Sequence, residues 1–353
     1  MGAPEWLAYF FGAMAVIMTV VNGFLLIGTI FTWMERRVLG RFQSRVGPNR
    51  VGPFGILQAI ADAVKLLFNA APIVILAPSL MALAVVPFGA GSYVADLNIG
   101  VLYVVAMGGI ASLAVLMAGY ASDNKLALFG AMRAVAMLLS YEIPLVMSLL
   151  GITVLAGSMS LVDIVGAQDI PFLLVSPLGA LIFLIAMSAE LNRSPFDVTE
   201  AESELVAGYI TEYSGMKFGI FYLAEFSNVV LAGALFAILF LDGWNGYFLP
   251  SHLWFLVKVF GFLLVASWVR ATLPRMRIDQ ILALAWKYLF PLSMVNLLLL
   301  TVETLTWPEP STLELWMMTG INWVAAFAAI PLLAMVGLRA PGRSRRAFSP
   351  EVH

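Results

Sequence analysis

Residues 99–120 read IGVLYVVAMGGIASLAVLMAGY, a run of 22 without a charged side chain. A helix rises about 1.5 Å per residue and a bilayer's hydrocarbon core is roughly 30 Å thick, so this run has the length and character of a membrane span. The same pattern recurs along the chain. Apolar stretches near 6–33, 71–88, 134–157, 172–190, 217–240, 252–273, 284–306 and 315–338 bring the expected number of spans to nine. The second is short and holds Pro72, Pro78 and Pro87, which predicts a kinked helix supported by its neighbours.

Composition agrees with this. Of 353 residues, 61% are hydrophobic and 11% charged, against about a quarter charged in soluble domains. A chain of this kind cannot clothe itself in polar side chains, which excludes an ordinary cytoplasmic enzyme, a nucleic-acid-binding domain and a disordered linker. The net charge is −2. There is no cysteine, and His252 and His353 are the two histidines, so iron–sulfur, bis-histidine haem and common zinc ligation are not expected. Any redox centre is expected in a partner. Residues 1–34 hold no Lys or Arg, so no signal-peptide n-region is read and the first hydrophobic segment is expected to be retained. The expected fold class is an all-α polytopic transmembrane bundle, with amphipathic helices in its cytoplasmic loops.

Orientation follows from the excess of Lys and Arg in cytoplasmic loops. Arg36, Arg37, Arg41, Arg45, Arg50 and Lys65 fall in the first loop, Lys125 and Arg133 in the third, and Arg193 and Lys217 in the fifth. Arg270, Arg275, Arg277 and Lys287 fall in the seventh, and Arg339, Arg343, Arg345 and Arg346 in the tail. The alternate loops carry Asp96, Asp163, Asp169, Asp242, Glu303, Glu309 and Glu314 with no Lys or Arg. An outside amino terminus and a cytoplasmic carboxyl terminus result. The chain reads as one integral membrane domain, 1–353. Within it lie a basic loop and interfacial helix at 34–70, an acidic loop at 190–217, a last span at 315–338 and a basic tail at 339–353.

A charge within the bilayer costs about 2.5–3.5 kcal/mol even on insertion scales, so each one calls for a partner or a task. Glu142, Glu190, Glu225 and Lys258 are in this position. They could form a structural network around Lys258, or a proton relay in which several carboxylates disfavour simultaneous ionisation. The loop after Glu190 adds Asp197, Glu200, Glu202 and Glu204. Asp197 with Glu200 resembles a capping box, and Ala201, Leu205 and Tyr209 follow at helical spacing. A solvated acidic surface would explain that loop alone; beside Arg193, Lys217 and the membrane carboxylates it reads as an acidic path into the bundle. The 34–70 loop has the opposite chemistry. Gly47-Pro48 and Gly52-Pro53 make a rigid basic turn, and Ile56, Ile60, Val64 and Leu67 fall at helical spacing, as in an interfacial helix. That design suits a docked partner or an opening for an amphipathic ligand.

Four sets of residues together resemble one family. They are Glu35-Arg36-Arg37 with Arg45 to Pro53 and Gln58 to Asp62; Gly119 to Ser122 through Lys125, Gly130, Arg133 and Ser140-Tyr141-Glu142; Ala189-Glu190 through Asn192-Arg193, Pro195-Phe196-Asp197, Glu204-Leu205-Val206 and Gly208-Tyr209 to Glu212-Tyr213-Ser214-Gly215; and Arg270-Ala271-Thr272 with Pro274-Arg275, Arg277, Asp279-Gln280 and Trp286-Lys287. In this order they are similar to the membrane subunit of NADH-quinone oxidoreductase, respiratory complex I, that is known as the H subunit or as subunit 1. The resemblance runs from the first span through the eighth. It implies a membrane subunit of a proton-translocating enzyme, not catalytic alone, that helps form a quinone chamber where peripheral and membrane arms meet. Glu35, Arg36, Arg45, Asp62 and Lys65 would then border the chamber. Asp197, Glu200, Glu202, Glu204, Glu142, Glu190 and Glu225, with Lys258, would form the proton path. Quinone would be the substrate. FMN and iron–sulfur clusters would sit in partner subunits, antiporter-like membrane subunits would be neighbours, and the setting would be a bacterial plasma membrane.

Departures from the family pattern stand at Ala59, usually proline, and at Phe226, usually tyrosine. Another follows Lys65, where Leu66-Leu67-Phe68-Asn69 runs directly into Ala70 and a polar stretch is lacking. Gly109 lies where some relatives carry a further Glu, and the ninth span is an extension found in some members. The equivalent subunit of an energy-converting hydrogenase, or of a complex fed by another donor, is the alternative. An autonomous transporter or channel is disfavoured by the lack of internal repeats, and a plain anchor leaves Glu142, Glu190 and Glu225 unexplained.

Overall fold

The computed structural model describes residues 70–122, 124–197, 208–211, 213–246, 248–308 and 312–338, with Thr19, Gly23, Met34 and Val38. The expected first span, the 34–70 loop, residues 198–207 of the acidic loop and the 339–353 tail lie almost wholly outside these residues. Every regular element among the described residues is helical. In order they are α1 (Ala70–Leu83), α2 (Gly100–Ala121), α3 (Lys125–Ala156), α4 (Leu161–Gly166), α5 (Phe172–Val175) and α6 (Pro177–Glu190). A 3₁₀ turn (Gly208–Ile210) precedes α7 (Met216–Phe240) and α8 (Ser251–Thr272). Then come α9 (Ile278–Thr306) and α10 (Thr312–Leu338). Among these, α2, α3, α7, α8 and α9 are long and apolar enough to cross a membrane, and α1 and α6 are shorter apolar helices. This is a polytopic helical membrane protein.

Several boundaries differ from expectation for identifiable reasons. α3 begins at Lys125 rather than near 134, because Asn124 caps it by accepting a hydrogen bond from Leu126 N at 3.0 Å. Lys125 and Arg133 therefore belong to the helix and not to a loop. Its other end stops at Gly157, which takes φ 66°, the left-handed conformation glycine adopts without a steric penalty. The expected fifth span is broken at Ser176: Pro177 opens α6 and drives the preceding residue out of the helical region, to φ −126° and ψ 68°. α9 starts at Ile278, six residues before the expected 284, and widens into a π segment at Ala285–Leu289. Pro291 follows and has no N–H to offer the Lys287 carbonyl, so the widened turn falls where an ordinary bond is missing. α1 keeps Pro78 inside and ends before Pro87.

α7 is the central helix. It packs on α1 and α8, while α3 packs on α2, α6 and α9. Phe183, Phe240 and Phe255 are fully enclosed in the main apolar core; Met137, Tyr141, Ile182 and Leu289 belong to a second core beside α9. Close crossings depend on small residues. A Cβ on Gly119 would stand 2.2 Å from the Ala131 Cβ, and one on Gly130 would stand 2.8 Å from the Gly208 Cα, so α2, α3 and the 3₁₀ turn meet nearly backbone to backbone.

Candidate functional site

Glu190 ends α6, and the chain then turns sharply through Asn192, at φ 49°, and a cis Ser194–Pro195 bond. This turn is stitched to the loop between α8 and α9. Ser194 Oγ donates to the Leu273 carbonyl at 3.2 Å, Met276 N donates to the Pro195 carbonyl at 2.9 Å, and Arg275 Nη2 meets Asp197 Oδ2 at 2.7 Å. Phe196 is buried against Tyr141, ring centres 5.3 Å apart, and the Tyr141 hydroxyl donates to the Ile281 carbonyl at 2.9 Å. The turn is thus held from α3 and α9 as well as from its own stem. That rigidity positions Arg193. Its Nε lies 3.0 Å from Glu225 Oε1 of α7, and its guanidinium carbon sits 4.7 Å from the centre of the Phe226 ring.

Two small cavities lie nearby, one of them lined by Glu225. The first, about 60 Å³, lies among α1, α2, α3, α6 and α7, with Glu142, Glu190 and Asn228 in its wall. The second, about 40 Å³, is lined by Glu190, Glu225, Asn228, Asn192 and Tyr209. Glu190 and Asn228 belong to both, so the carboxylates of α3, α6 and α7 border connected polar space large enough for water. α2 faces them with glycine. A Cβ on Gly108 would come 3.7 Å from Glu190 Oε1, and one on Gly109 would come 3.4 Å from Glu142 Oε1. Larger residues there would fill the room beside both groups. Tyr213, packed edge-on against Phe221, donates to the Ala118 carbonyl at 3.2 Å, and burial pushes its hydroxyl pKa up, with a hydrogen bond from Ser122 opposing the shift.

A third cavity, about 360 Å³, opens beside Arg193. Its walls are apolar, including Leu184, Val229, Phe262, Val265, Met276 and Leu284, and Arg193, Ser194 and Arg270 stand at its edge. A chamber with greasy walls and a few convergent polar groups suits an amphipathic small molecule.

Of the expected site residues, Glu142, Glu190 and Glu225 are brought together, and Asp197 is joined to them through the Arg193 turn. Lys258 is placed elsewhere. Its ammonium donates to the carbonyls of Leu241 at 2.7 Å, Asp242 at 3.3 Å, Gly243 at 2.9 Å and Asn245 at 2.8 Å, closing the end of α7. Glu35, Arg36, Arg45, Asp62, Lys65, Glu200, Glu202 and Glu204 lie outside the described residues. Asn228 is not among the expected site residues, although an amide one turn after Glu225 in an apolar span is a readable signal. Glu303, grouped with the loop charges although the expected span 284–306 contains it, is in the last turn of α9 and 4% exposed. Among the described residues, no group of three or more His, Cys, Asp or Glu could hold a metal ion.

These features define a class: a helical membrane protein with partly buried carboxylates gathered inside its bundle. Residues 14–301 match the family described as NADH dehydrogenase. The chain is 47% identical over 334 residues to the NADH-quinone oxidoreductase H subunit of Dehalococcoides mccartyi strain CBDB1, covering 90% of this chain and 94% of that one. It is 48% identical over 321 residues to the H subunit of Geobacillus kaustophilus, covering 85% and 96%. Against the H subunit of Brevibacillus brevis the identity is 45% over 322 residues, covering 85% and 95%. The chain belongs to the H-subunit family of NADH-quinone oxidoreductase.

Proposed function

We propose that this chain forms part of the quinone chamber of a proton-translocating NADH:quinone oxidoreductase and couples quinone reduction to proton movement through its carboxylates. The observation that carries this reading is the adjacency of the apolar cavity of about 360 Å³, with Arg193 at its edge, to the paired cavities holding Glu225, Glu190 and Glu142. Arg193 borders the chamber and binds the first carboxylate, so a change of charge in the chamber is felt at Glu225. Glu35, Arg36, Arg45, Asp62 and Lys65 complete the chamber wall from the 34–70 loop, and Asp197, Glu200, Glu202 and Glu204 form the acidic path from the 190–217 loop.

Electrons arrive from NADH through FMN and iron–sulfur clusters of the peripheral-arm subunits, which makes the chain a translocase component without catalysis alone. Two electrons and two protons convert the quinone to quinol. The withdrawal of protons beside partly buried, mutually repelling carboxylates changes their shared charge state, and antiporter-like subunits respond. The basic loops face the cytoplasm of a bacterial plasma membrane, the amino terminus is outside, 315–338 forms the ninth span, and the basic tail 339–353 is cytoplasmic.

The test uses the intact complex in liposomes. Glu142→Gln and Glu190→Gln each preserve shape and remove the titrating proton. Both are expected to depress NADH-driven quinone reduction and proton uptake together. Unchanged rates of both in either variant would exclude that residue from the path.

A further inference from the structure

A second polar site lies at the other end of the bundle. Glu303 is 22 residues beyond Ile281 on α9, a rise of about 33 Å. Its side chain is 4% exposed, and that of Asn322 on α10 is 1% exposed. Asn322 Nδ2 donates to Glu303 Oε2 at 2.8 Å and to the Met318 carbonyl at 3.1 Å. Both amide hydrogens are thereby used. Glu303 Oε1 and Asn322 Oδ1 are each buried without a hydrogen-bond partner. Exchanging the amide's oxygen and nitrogen would turn its oxygen toward two acceptors, so the orientation stands.

An ionised Glu303 would leave two buried acceptors orphaned on one carboxyl–amide pair, with no compensating cation on the described helices packed around it. Phe172–Val175, Pro177–Ala189 and residues 143–156 of α3 contain no charged residue, and α9 between Phe290 and Thr306 contains only Glu303 itself. On α10 the charged residue is Glu314, an anion eight positions before Asn322. Charge burial of this kind is expensive. A proton on Oε1 resolves both problems at once. It removes the charge and supplies the donor that Asn322 Oδ1 lacks, closing the eight-membered acid–amide ring in which each group gives and accepts one hydrogen bond.

We propose that Glu303 and Asn322 form a proton-binding site between α9 and α10, separate from the Glu142–Glu190–Glu225 cluster, in which the bound proton is the bridge from Glu303 Oε1 to Asn322 Oδ1. The site also fastens α10. That helix packs on α5 and α6, and its Trp323 Nε1 donates at 3.1 Å to the Leu174 carbonyl, one of those freed by the break at Ser176.

Infrared spectra of the intact complex in membranes test this directly. At neutral pH the wild type is expected to show a protonated-carboxyl stretching band that Glu303→Gln lacks. Asn322→Leu is expected to shift that band by removing its acceptor, and Glu142→Gln to leave it in place. Loss of an ionised-carboxylate band in Glu303→Gln, or spectra identical to wild type, would overturn the proposal. So would a band that Asn322→Leu leaves unmoved. Glu303→Gln keeps an amide pair in place of the acid–amide ring, so its complex is expected to assemble and the comparison survives even if Asn322→Leu does not fold.

Discussion

Arg193 joins Glu225 at 3.0 Å while its guanidinium lies over the ring of Phe226, so one side chain ties the turn after α6 to two successive residues of α7. Arg193→Ala removes the cation that balances a half-buried carboxylate. A charge-assisted hydrogen bond contributes about 1.5–3 kcal/mol, and quinone reduction by the complex is expected to fall about tenfold or more. Arg193→Lys keeps the charge but loses the planar stack and is expected to lie between. Steady-state rates of the three complexes decide this; a full rate in Arg193→Ala would show that the pair is dispensable.

Gly130 is a packing prediction. A Cβ there would meet the Gly208 Cα at 2.8 Å and Tyr209 N at 3.1 Å, both backbone atoms that cannot swing aside. Gly208 itself has φ 58°, so the turn has little freedom to yield. Gly130→Ala is expected to destabilise the subunit by about 1–3 kcal/mol, the usual range for overpacking. Thermal unfolding of the purified complex measures it, and an unaltered midpoint would contradict so close a crossing.

Asp242 carries a pH prediction. Burial pushes its carboxyl above the ordinary aspartate range, against the opposing hydrogen bond from Asn245 Nδ2 at 2.8 Å and the charge of Lys258. Because the folded chain holds this proton more tightly than the unfolded one, the contribution is fully present below the unfolded value and is lost as pH rises through the folded one. Asp242→Asn is therefore expected to be at least as stable as wild type at neutral pH, with the difference vanishing in acid. A variant less stable at pH 7 and unchanged in acid would reverse that sign.

Lys258 is expected to act first as a clasp. Four backbone carbonyls at the end of α7 converge on its ammonium, and Lys258→Met would leave them without their donor. A loss of about 2 kcal/mol is expected, on the scale of hydrogen bonds to charged groups. Paired measurements of melting and proton uptake separate this from a proton-path role. Full stability with abolished uptake would favour the path.

The bundle is legible in the sequence because a span needs only length and apolarity, and 99–120 supplies both. Edges are less so. Lys125 and Arg133 read as loop residues, whereas long basic side chains can lie in the first turns of a helix with their charged ends directed outward. Glu142, Glu190 and Glu225 are legible through the cost of their burial. The ties that fix the turn after Glu190 are not: Arg275 and Asp197 are 78 residues apart, and only the stitched loops bring them together. Asn228 is legible as an amide one turn after Glu225, and Glu303 falls inside the expected span 284–306; its partner Asn322 on α10 is what only the packing reveals.

α7 differs from its neighbours in the solvent it meets. The most apolar stretch of Met216–Phe240 is 83% buried, against 17% for Ser251–Thr272. Protein, not lipid, surrounds the helix that carries Glu225 and Asn228. The elements that receive those polar groups, α1, α2, α3, α6 and the Arg193 turn, all precede α7 in the chain. Synthesis from the amino terminus thus lays down the socket before the helix that must occupy it emerges from the ribosome. The order of the chain has the surroundings of Glu225 and Asn228 in place first, and α8 covers another side of α7 afterwards.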